Sequence, residues 1–181
     1  MCIFVAETRE LCYMKKLLLA SLLPLTLASC SDTAESPVIE ITGFFINDNP
    51  VDYSREMEVL PVLKVNDEVT VSLKLDGNGE DLNTFIVKEE QEQLYIEDFQ
   101  LPVQGVSSDK NFTKLEEGIV GFENGVRQVE VTVKARVQSV TDEDAILSFY
   151  LFSRAECDGA QQEIELKTEE VEEASFIAIG R

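Results

Sequence analysis

The sequence that decides the fold is Val126-Arg-Gln-Val-Glu-Val-Thr-Val-Lys-Ala-Arg-Val137, in which apolar and polar residues alternate. Val129, Val131, Val133, Ala135 and Val137 make up one face, and Gln128, Glu130, Thr132, Lys134 and Arg136 make up the other. Alternation with a period of two predicts a β-strand whose apolar face is buried and whose polar face meets solvent. This pattern is typical of an antiparallel sheet with one wet side.

Other stretches along the chain repeat the pattern. They are predicted as strands over residues 38–46, 57–63 (a weaker candidate, interrupted by Pro61), 69–75, 85–87, 94–97, 145–152, 162–166 and 175–179. Residues 145–152 are apolar on both faces, which predicts a central strand. Asn124-Gly125 is a strong hairpin signal, so residues 119–123 are expected to pair with the start of the 126–137 strand.

No stretch of ten or more residues shows helical spacing. About seven to nine short strands predict an all-β, antiparallel β-sandwich over residues 37–181. The mature part of the chain has no Trp and no cysteine pair, so the expected sandwich is Ig/fibronectin type III-like, nearer to fibronectin type III than to true Ig. The predicted core includes Val71, Leu73, Val131, Val133, Leu147 and Phe149.

The N-terminal region has the three parts of a secretory signal. Lys15-Lys16 is followed by the apolar residues 17–27, then by Ala28-Ser29 and Cys30. Eleven helical residues span roughly 16 Å, too short for a hydrocarbon core of about 30 Å. Leu27-Ala28-Ser29-Cys30 matches the lipobox of bacterial lipoproteins, which implies that Cys30 is acylated and becomes the mature N-terminus. The alternative is an ordinary signal peptide with a chance cysteine.

These motifs divide the chain into four parts. Residues 1–13 carry two acids ahead of the basic pair and are interpreted as a mis-called extension, with Met14 as the initiator. Residues 14–29 are the signal peptide, residues 30–36 a lipidated tether, and residues 37–181 the sandwich domain. Ser31 is not the Asp that retains lipoproteins in the inner membrane, so an outer-membrane location is expected, facing either the periplasm or the cell surface.

The start of the mature chain, Cys30-Ser-Asp-Thr-Ala-Glu35, resembles that of surface-exported Bacteroidetes lipoproteins. Its Asp32-Thr33-Ala34 resembles their O-glycosylation motif, which makes Thr33 a candidate modification site. The loop Asp76-Gly-Asn-Gly-Glu-Asp-Leu82 resembles the B–C turn of small lipoproteins of unknown function from the same bacteria. The resemblance implies a sandwich fold but no activity.

Charge excludes several classes of partner. The full chain has a net charge of −20, and residues 30–181 hold 12 basic and 33 acidic residues, a net charge of −21. Such a field repels nucleic acid and anionic lipid, so membrane attachment is expected through the N-terminal lipid alone. A protein or glycan partner remains open.

Catalytic signatures are missing from the sequence. It has no His, and Cys157 is the one cysteine after Cys30. Ser-His-Asp and Cys-His catalysis are therefore excluded, as are His-ligated zinc sites. Acidic pairs such as Glu89-Glu90 leave a carboxylate-dependent hydrolase as a remote alternative. No cofactor is expected.

Asp76, Asn78 and Glu80 alternate as oxygen donors, as at the start of an EF-hand calcium loop. Asp81 then stands where the loop needs Gly, and Val87 where it needs the bidentate Glu. The expected structure is a solvated turn, with a calcium site of another type left open.

The leading functional hypothesis is a non-enzymatic, lipid-anchored binding or accessory module of the cell envelope. A second hypothesis is a glycan-binding accessory of a polysaccharide-uptake system. Sugar platforms favour exposed aromatic side chains; here Tyr150 is expected in the core, and Tyr53 and Tyr95 are the candidates for exposure.

Overall fold

A computed structural model describes residues 34–47 and 49–170, which form a β-sandwich. Cys30, Thr33 and the predicted strand 175–179 lie outside these residues. The strands are β1 (Val38–Ile46), β2 (Glu68–Asp76), β3 (Leu82–Glu89), β4 (Leu94–Gln100), β5 (Ile119–Gly121), β6 (Gln128–Val137), β7 (Ala145–Ser153) and β8 (Ala160–Leu166). The described helices are two single 3-10 turns, Met57–Val59 and Leu115–Glu117, so none of them is long enough to cross a membrane.

The strands form two four-stranded antiparallel sheets, β1-β2-β6-β4 and β5-β3-β7-β8. The predicted all-β sandwich is thus confirmed. Although the missing cysteine pair and Trp favour a fibronectin type III-like domain, the strand order is that of a constant-type Ig domain, A-B-E-D over C-F-G. The short β5, placed beside β3, is an addition to that order.

The core lies between the two central strand pairs. All six residues predicted for it are at most 2% exposed. β2 and β6 pair over nine residues without a shift in register, so the alternation seen in the sequence is kept along both strands. Phe85 of β3 and Phe149 of β7 stack with ring centroids 6.1 Å apart. The pair lies on the strands that correspond to C and F, which in an Ig domain carry the core Trp and one cysteine of the disulfide.

The prediction of a strand over residues 57–63 is wrong. Residues 57–59 form a 3-10 turn, and Leu63 makes an isolated bridge with Thr168. Pro61 cannot donate to a ladder. Met57, Leu60 and Leu63 pack on the core while Val59 and Val62 are exposed, so burial does not alternate along the segment. Tyr53 N–H donates to Phe44 C=O and Leu63 N–H to Lys167 C=O, both at 2.8 Å. Residues 52–53, earlier in the β1–β2 connection, therefore cover part of the β1 edge, whereas Leu63 bonds to the segment after β8.

The expected hairpin at Asn124-Gly125 is also wrong. The two residues do form a turn, with Gly125 at φ 86°. However, β5 pairs with β3 in the opposite sheet, with Thr84 opposite Gly121 and Ile86 opposite Ile119. A type I′ hairpin needs positive φ at both central residues, and here only Gly125 has it. The turn therefore carries the chain from one sheet to the other.

Gln93 is a buried polar residue at the end of the sandwich where β6 finishes. Its side-chain amide donates to Glu143 C=O at 2.9 Å, and its Oε1 accepts from Thr141 N–H and from the Thr168 hydroxyl. Its own C=O accepts from Gln138 N–H at 2.8 Å. One fully buried side chain thus joins the β3–β4 turn, the β6–β7 loop and the segment after β8.

Replacing Gln93 with an apolar side chain of similar size should therefore destabilise the domain. Each buried polar group left without a partner costs about 1–3 kcal/mol, so Gln93→Leu should lower the free energy of unfolding by about 2–4 kcal/mol. Urea unfolding measures the change. Gln138→Leu is the matched control, because Gln138 is exposed and water can replace its contacts. Equal effects of the two substitutions would show that Gln93 does not join these loops.

Candidate functional site

Three connections meet at the end of the sandwich opposite Gln93: residues 77–81, 122–127 and 154–159. We call this the Asp81 end, because Asp81 joins all three. Its C=O accepts from Arg154 N–H at 2.8 Å, and its carboxylate accepts from Gly125 N–H at 2.7 Å and from Arg127 Nε at 3.3 Å. A side chain with these partners fixes the loops relative to one another.

These contacts also stabilise the charged form of Asp81. The hydrogen bond from Gly125 N–H, followed by that from the Arg127 guanidinium, lowers the pKa of Asp81 below its usual value. The hydrogen bonds outweigh the opposing effect of desolvation. Asp81 is the residue that departs from the EF-hand pattern, and here its role is structural.

The structure does not bring the three candidate calcium ligands together into a metal site. Asp76 accepts from Asn78 N–H at 2.8 Å through Oδ1 and from Gln128 Nε2 at 2.8 Å through Oδ2. The Asn78 side-chain amide donates to Glu35 Oε2 at 2.7 Å and to Ser36 C=O at 3.4 Å. Glu80 lies exposed at the tip of the turn.

The geometry of this turn is that of an Asx turn stabilised by Asp76. Among the residues that the structure describes, no group of three or more His, Cys, Asp or Glu side chains is placed to hold a metal ion. The solvated turn stays a prediction, with a calcium site of another type as its open alternative.

A groove of about 890 Å³ lies between the start of β6 and the segment that follows β4. Its walls include Lys74, Gln104, Asn124 and Gln128, so they are rich in amides and carry both signs of charge. No sequence pattern predicted this groove. The available signal was Pro102 and Gly105, just after a predicted strand: proline cannot donate a backbone hydrogen bond to a ladder, and glycine weakens a strand.

The opposite end of the sandwich exposes apolar side chains. Val51, Val59, Val62 and Val65, all in the β1–β2 connection, are between 38% and 66% exposed. The loops that Gln93 joins lie at the same end, which we call the Gln93 end. Both ends therefore expose apolar side chains: four valines at this end, and Val38 and Phe152 near the Asp81 end.

The placement of the tyrosines differs from expectation at one position. Tyr95 is 59% exposed and Tyr53 is half-buried. The expectation that Tyr150 lies in the core is wrong, because β7 turns Tyr150 to the outer face, where its hydroxyl donates to Glu90 Oε1 at 3.4 Å. Lys88 Nζ sits 5.6 Å from the centre of the Tyr150 ring, so a cation already covers the ring.

The remaining candidate reactive side chains make local hydrogen-bond contacts. Cys157 Sγ lies 3.2 Å from the Ser153 hydroxyl. Of the acidic pair at 89–90, Glu89 accepts from Gln91 N–H and Gln93 N–H and so closes the β3–β4 turn. These contacts explain the two residues without any reaction.

A family model described as a domain of unknown function, DUF5035, matches residues 30–168. This chain belongs to the DUF5035 family. The match contains all eight strands and both ends described above. No curated protein matches the sequence.

Two solved structures are similar to this DUF5035 domain. The C-terminal domain of the Streptococcus pyogenes antigen I/II-family protein AspA has a TM-score of 0.43 at 13% identity. The similarity covers 74% of this chain but only 47% of that one, so the chain spans about half of that structure. The human F-spondin reeler domain has a TM-score of 0.35 at 9% identity, covering 78% of this chain and 100% of that one. Similarity at this level is limited to the fold class.

The lowered pKa of Asp81 predicts a change in acid stability. A carboxyl whose pKa is lower in the folded state stabilises the protein above its unfolded pKa, and this contribution is lost as the pH falls through the folded value. Asp81→Asn should therefore destabilise the domain at pH 7, and the difference from wild type should shrink below about pH 4. Thermal unfolding from pH 7 to pH 2.5 measures it.

Glu80→Gln is the control, because Glu80 lies beside Asp81 at the tip of the same turn and is exposed. It should leave the pH profile of the melting temperature unchanged. A constant difference between Asp81→Asn and wild type at every pH would show that the Asp81 charge does not stabilise this end.

Proposed function

We propose that this chain is a lipid-anchored, non-enzymatic binding or accessory module of the cell envelope, held in the outer membrane through acylated Cys30. The observation that carries the proposal is the contact of Asn78 with Glu35 and Ser36. It fixes the point at which the chain enters the domain to the Asp81 end. The family match begins at Cys30, which agrees with a domain that starts at the lipid site.

The length of the tether limits how far the domain stands from its anchor. Glu35 is five residue steps after Cys30, and an extended chain spans at most about 3.6 Å per step, roughly 18 Å in all. The Asp81 end would therefore face the membrane. The Gln93 end would point away from it, because the ten residues of β6 add about 34 Å.

The charge of the domain supports attachment through the lipid alone. A net charge of −21 after residue 29 repels an anionic lipid surface. The acyl chains would hold the protein, while the sheets would stay off the membrane plane. The exposed valines 51, 59, 62 and 65 would then be presented at the far end. This arrangement favours a module that presents surfaces to partners over one that encloses a reaction.

Acylation of Cys30 is tested by metabolic labelling with an alkyne fatty acid. Wild type should be labelled and Cys30→Ala should not, because the lipobox thiol is the attachment point. Cys157→Ala is the matched control and should keep the label, since Cys157 lies at the β7–β8 connection, far along the chain from the lipobox. Equal labelling of wild type and Cys30→Ala would contradict the anchor.

The orientation is tested separately with the acylated protein in vesicles that contain a dansyl-labelled headgroup lipid. The chain has no Trp, so one introduced Trp reports one position. Energy transfer should be stronger from Glu80→Trp, at the Asp81 end, than from Asp142→Trp, at the Gln93 end. Equal transfer, or the reverse order, would contradict the proposed orientation.

A further inference from the structure

The groove beside β6 exists because β4 leaves the sheet early. β4 pairs with β6 from Leu94, opposite Val137, to Gln100, opposite Thr132. If the same register continued, Pro102 would stand opposite Glu130. Proline has no N–H to donate, and the chain leaves the sheet at this point.

The backbone groups that β4 leaves behind can be assigned by alternation. Arg127 C=O accepts from Gly77 N–H at 2.7 Å, and Val137 N–H donates to Asp67 C=O at 2.9 Å, so odd-numbered residues of β6 face β2. Gln138 N–H donates to Gln93 C=O on the other side. Because the pairing with β2 has no shift in register, Gln128 and Glu130 direct their N–H and C=O groups toward the groove.

No described strand pairs with Gln128 or Glu130 on that side, and both residues are exposed. The segment 101–105 bounds the gap. Gly105 C=O accepts from Glu123 N–H at 2.8 Å, and a Cβ on Gly105 would come within 2.8 Å of Val126. The chain therefore separates from β6 after Gln100 and contacts Val126, just before β6, again at Gly105. The open groove lies between these two points.

We propose that this groove binds an extended peptide segment of another envelope protein, which adds as a strand beside residues 128–131 of β6. The inference names the partner class of the binding module and rests on the proposed function for the partner's location. The binding chemistry itself depends on the groove alone.

The open edge specifies a peptide backbone. Two donors and two acceptors repeat along β6 at the two-residue spacing of a strand, about 6.8 Å. An extended chain carries the complementary groups at the same spacing, as in β-strand addition. The lining residues include no aromatic side chain, which argues against a stacked sugar ring. Lys74 and Arg127 balance Glu123 and Glu130, so backbone contacts would dominate over charge.

The test begins with the full-length chain in detergent and a positional-scanning library of acetylated heptapeptides. At least one pool should bind with a dissociation constant below 1 mM, and the tightest heptapeptide resolved from it becomes the probe. N-methylation of the probe at alternate residues that face β6 should weaken binding at least tenfold. N-methylation at the intervening residues should change it less than twofold. The proposal would be overturned if both sets of N-methylated probes weakened binding equally, or if no heptapeptide pool bound.

Variants of β6 locate the contact. Glu130→Pro removes the N–H that faces the groove but none that faces β2, and it should abolish binding of the probe. Glu130→Ala keeps that N–H and should bind like wild type. The melting of Glu130→Pro is recorded as a check that the variant folds, and amide exchange on wild type supplies a second measurement. Gln128 and Glu130 should exchange quickly in the free protein and slowly with the probe bound, whereas Val129 and Val131 should be protected in both.

Two further arms separate this proposal from its alternatives. An oligosaccharide panel that binds wild type and Glu130→Pro equally, with no heptapeptide bound, would assign the groove to glycans and overturn the inference. Cys30→Ala should bind the probe as wild type does. If labelling of Cys30 fails while the probe still binds, the anchor is wrong and the peptide groove stands.

Discussion

The uninterrupted pairing of β2 with β6 is the constraint on which the rest of the structure depends. A slip of one residue would move every valine of β6 from the core to solvent, so burial fixes the register. The same register decides which backbone groups of β6 face β2 and which face away. The dry core and the open edge at Gln128 and Glu130 are thus two results of one pairing, since odd-numbered residues serve the first and even-numbered residues the second.

The sequence predicted the strands whose side chains alternate, because burial of one face requires an apolar residue at every second position. It failed where partners are chosen at long range. Asn124-Gly125 correctly indicates a turn, but turn chemistry is local and cannot say that Ile119 pairs with Ile86, which lies 33 positions earlier. The segment 57–63 is apolar for a different reason: Leu63 packs on the core beside the segment after β8, where an alternating pattern has no meaning.

The candidate sites show the same division. Asp76, Asn78 and Glu80 attract attention as a sequence pattern, yet in the fold Asp76 accepts from Asn78 N–H and Gln128, the Asn78 side chain bonds to Glu35, and Glu80 lies exposed. Gln93 stands out in no pattern, because the run Glu89-Glu-Gln-Glu-Gln93 looks like a solvated turn. Its burial results from three loops that meet only in the folded chain. The groove was hidden for a related reason: Pro102 signals the end of a strand, but not that the neighbouring strand continues without a partner.

The loops at the two ends of the sandwich are held in place by different kinds of interaction. At the Gln93 end, buried hydrogen bonds hold the loops, so the exposed valines rest on a rigid base. At the Asp81 end, the loops are held by surface hydrogen bonds to the Asp81 carboxylate. The strength of these bonds depends on the charge of Asp81 and therefore on pH. If the tether places the Asp81 end toward the membrane, the groove lies near the lipid surface. An extended segment of a membrane-resident protein could then reach β6 from the lipid side. The net negative charge of the domain would repel acidic partners.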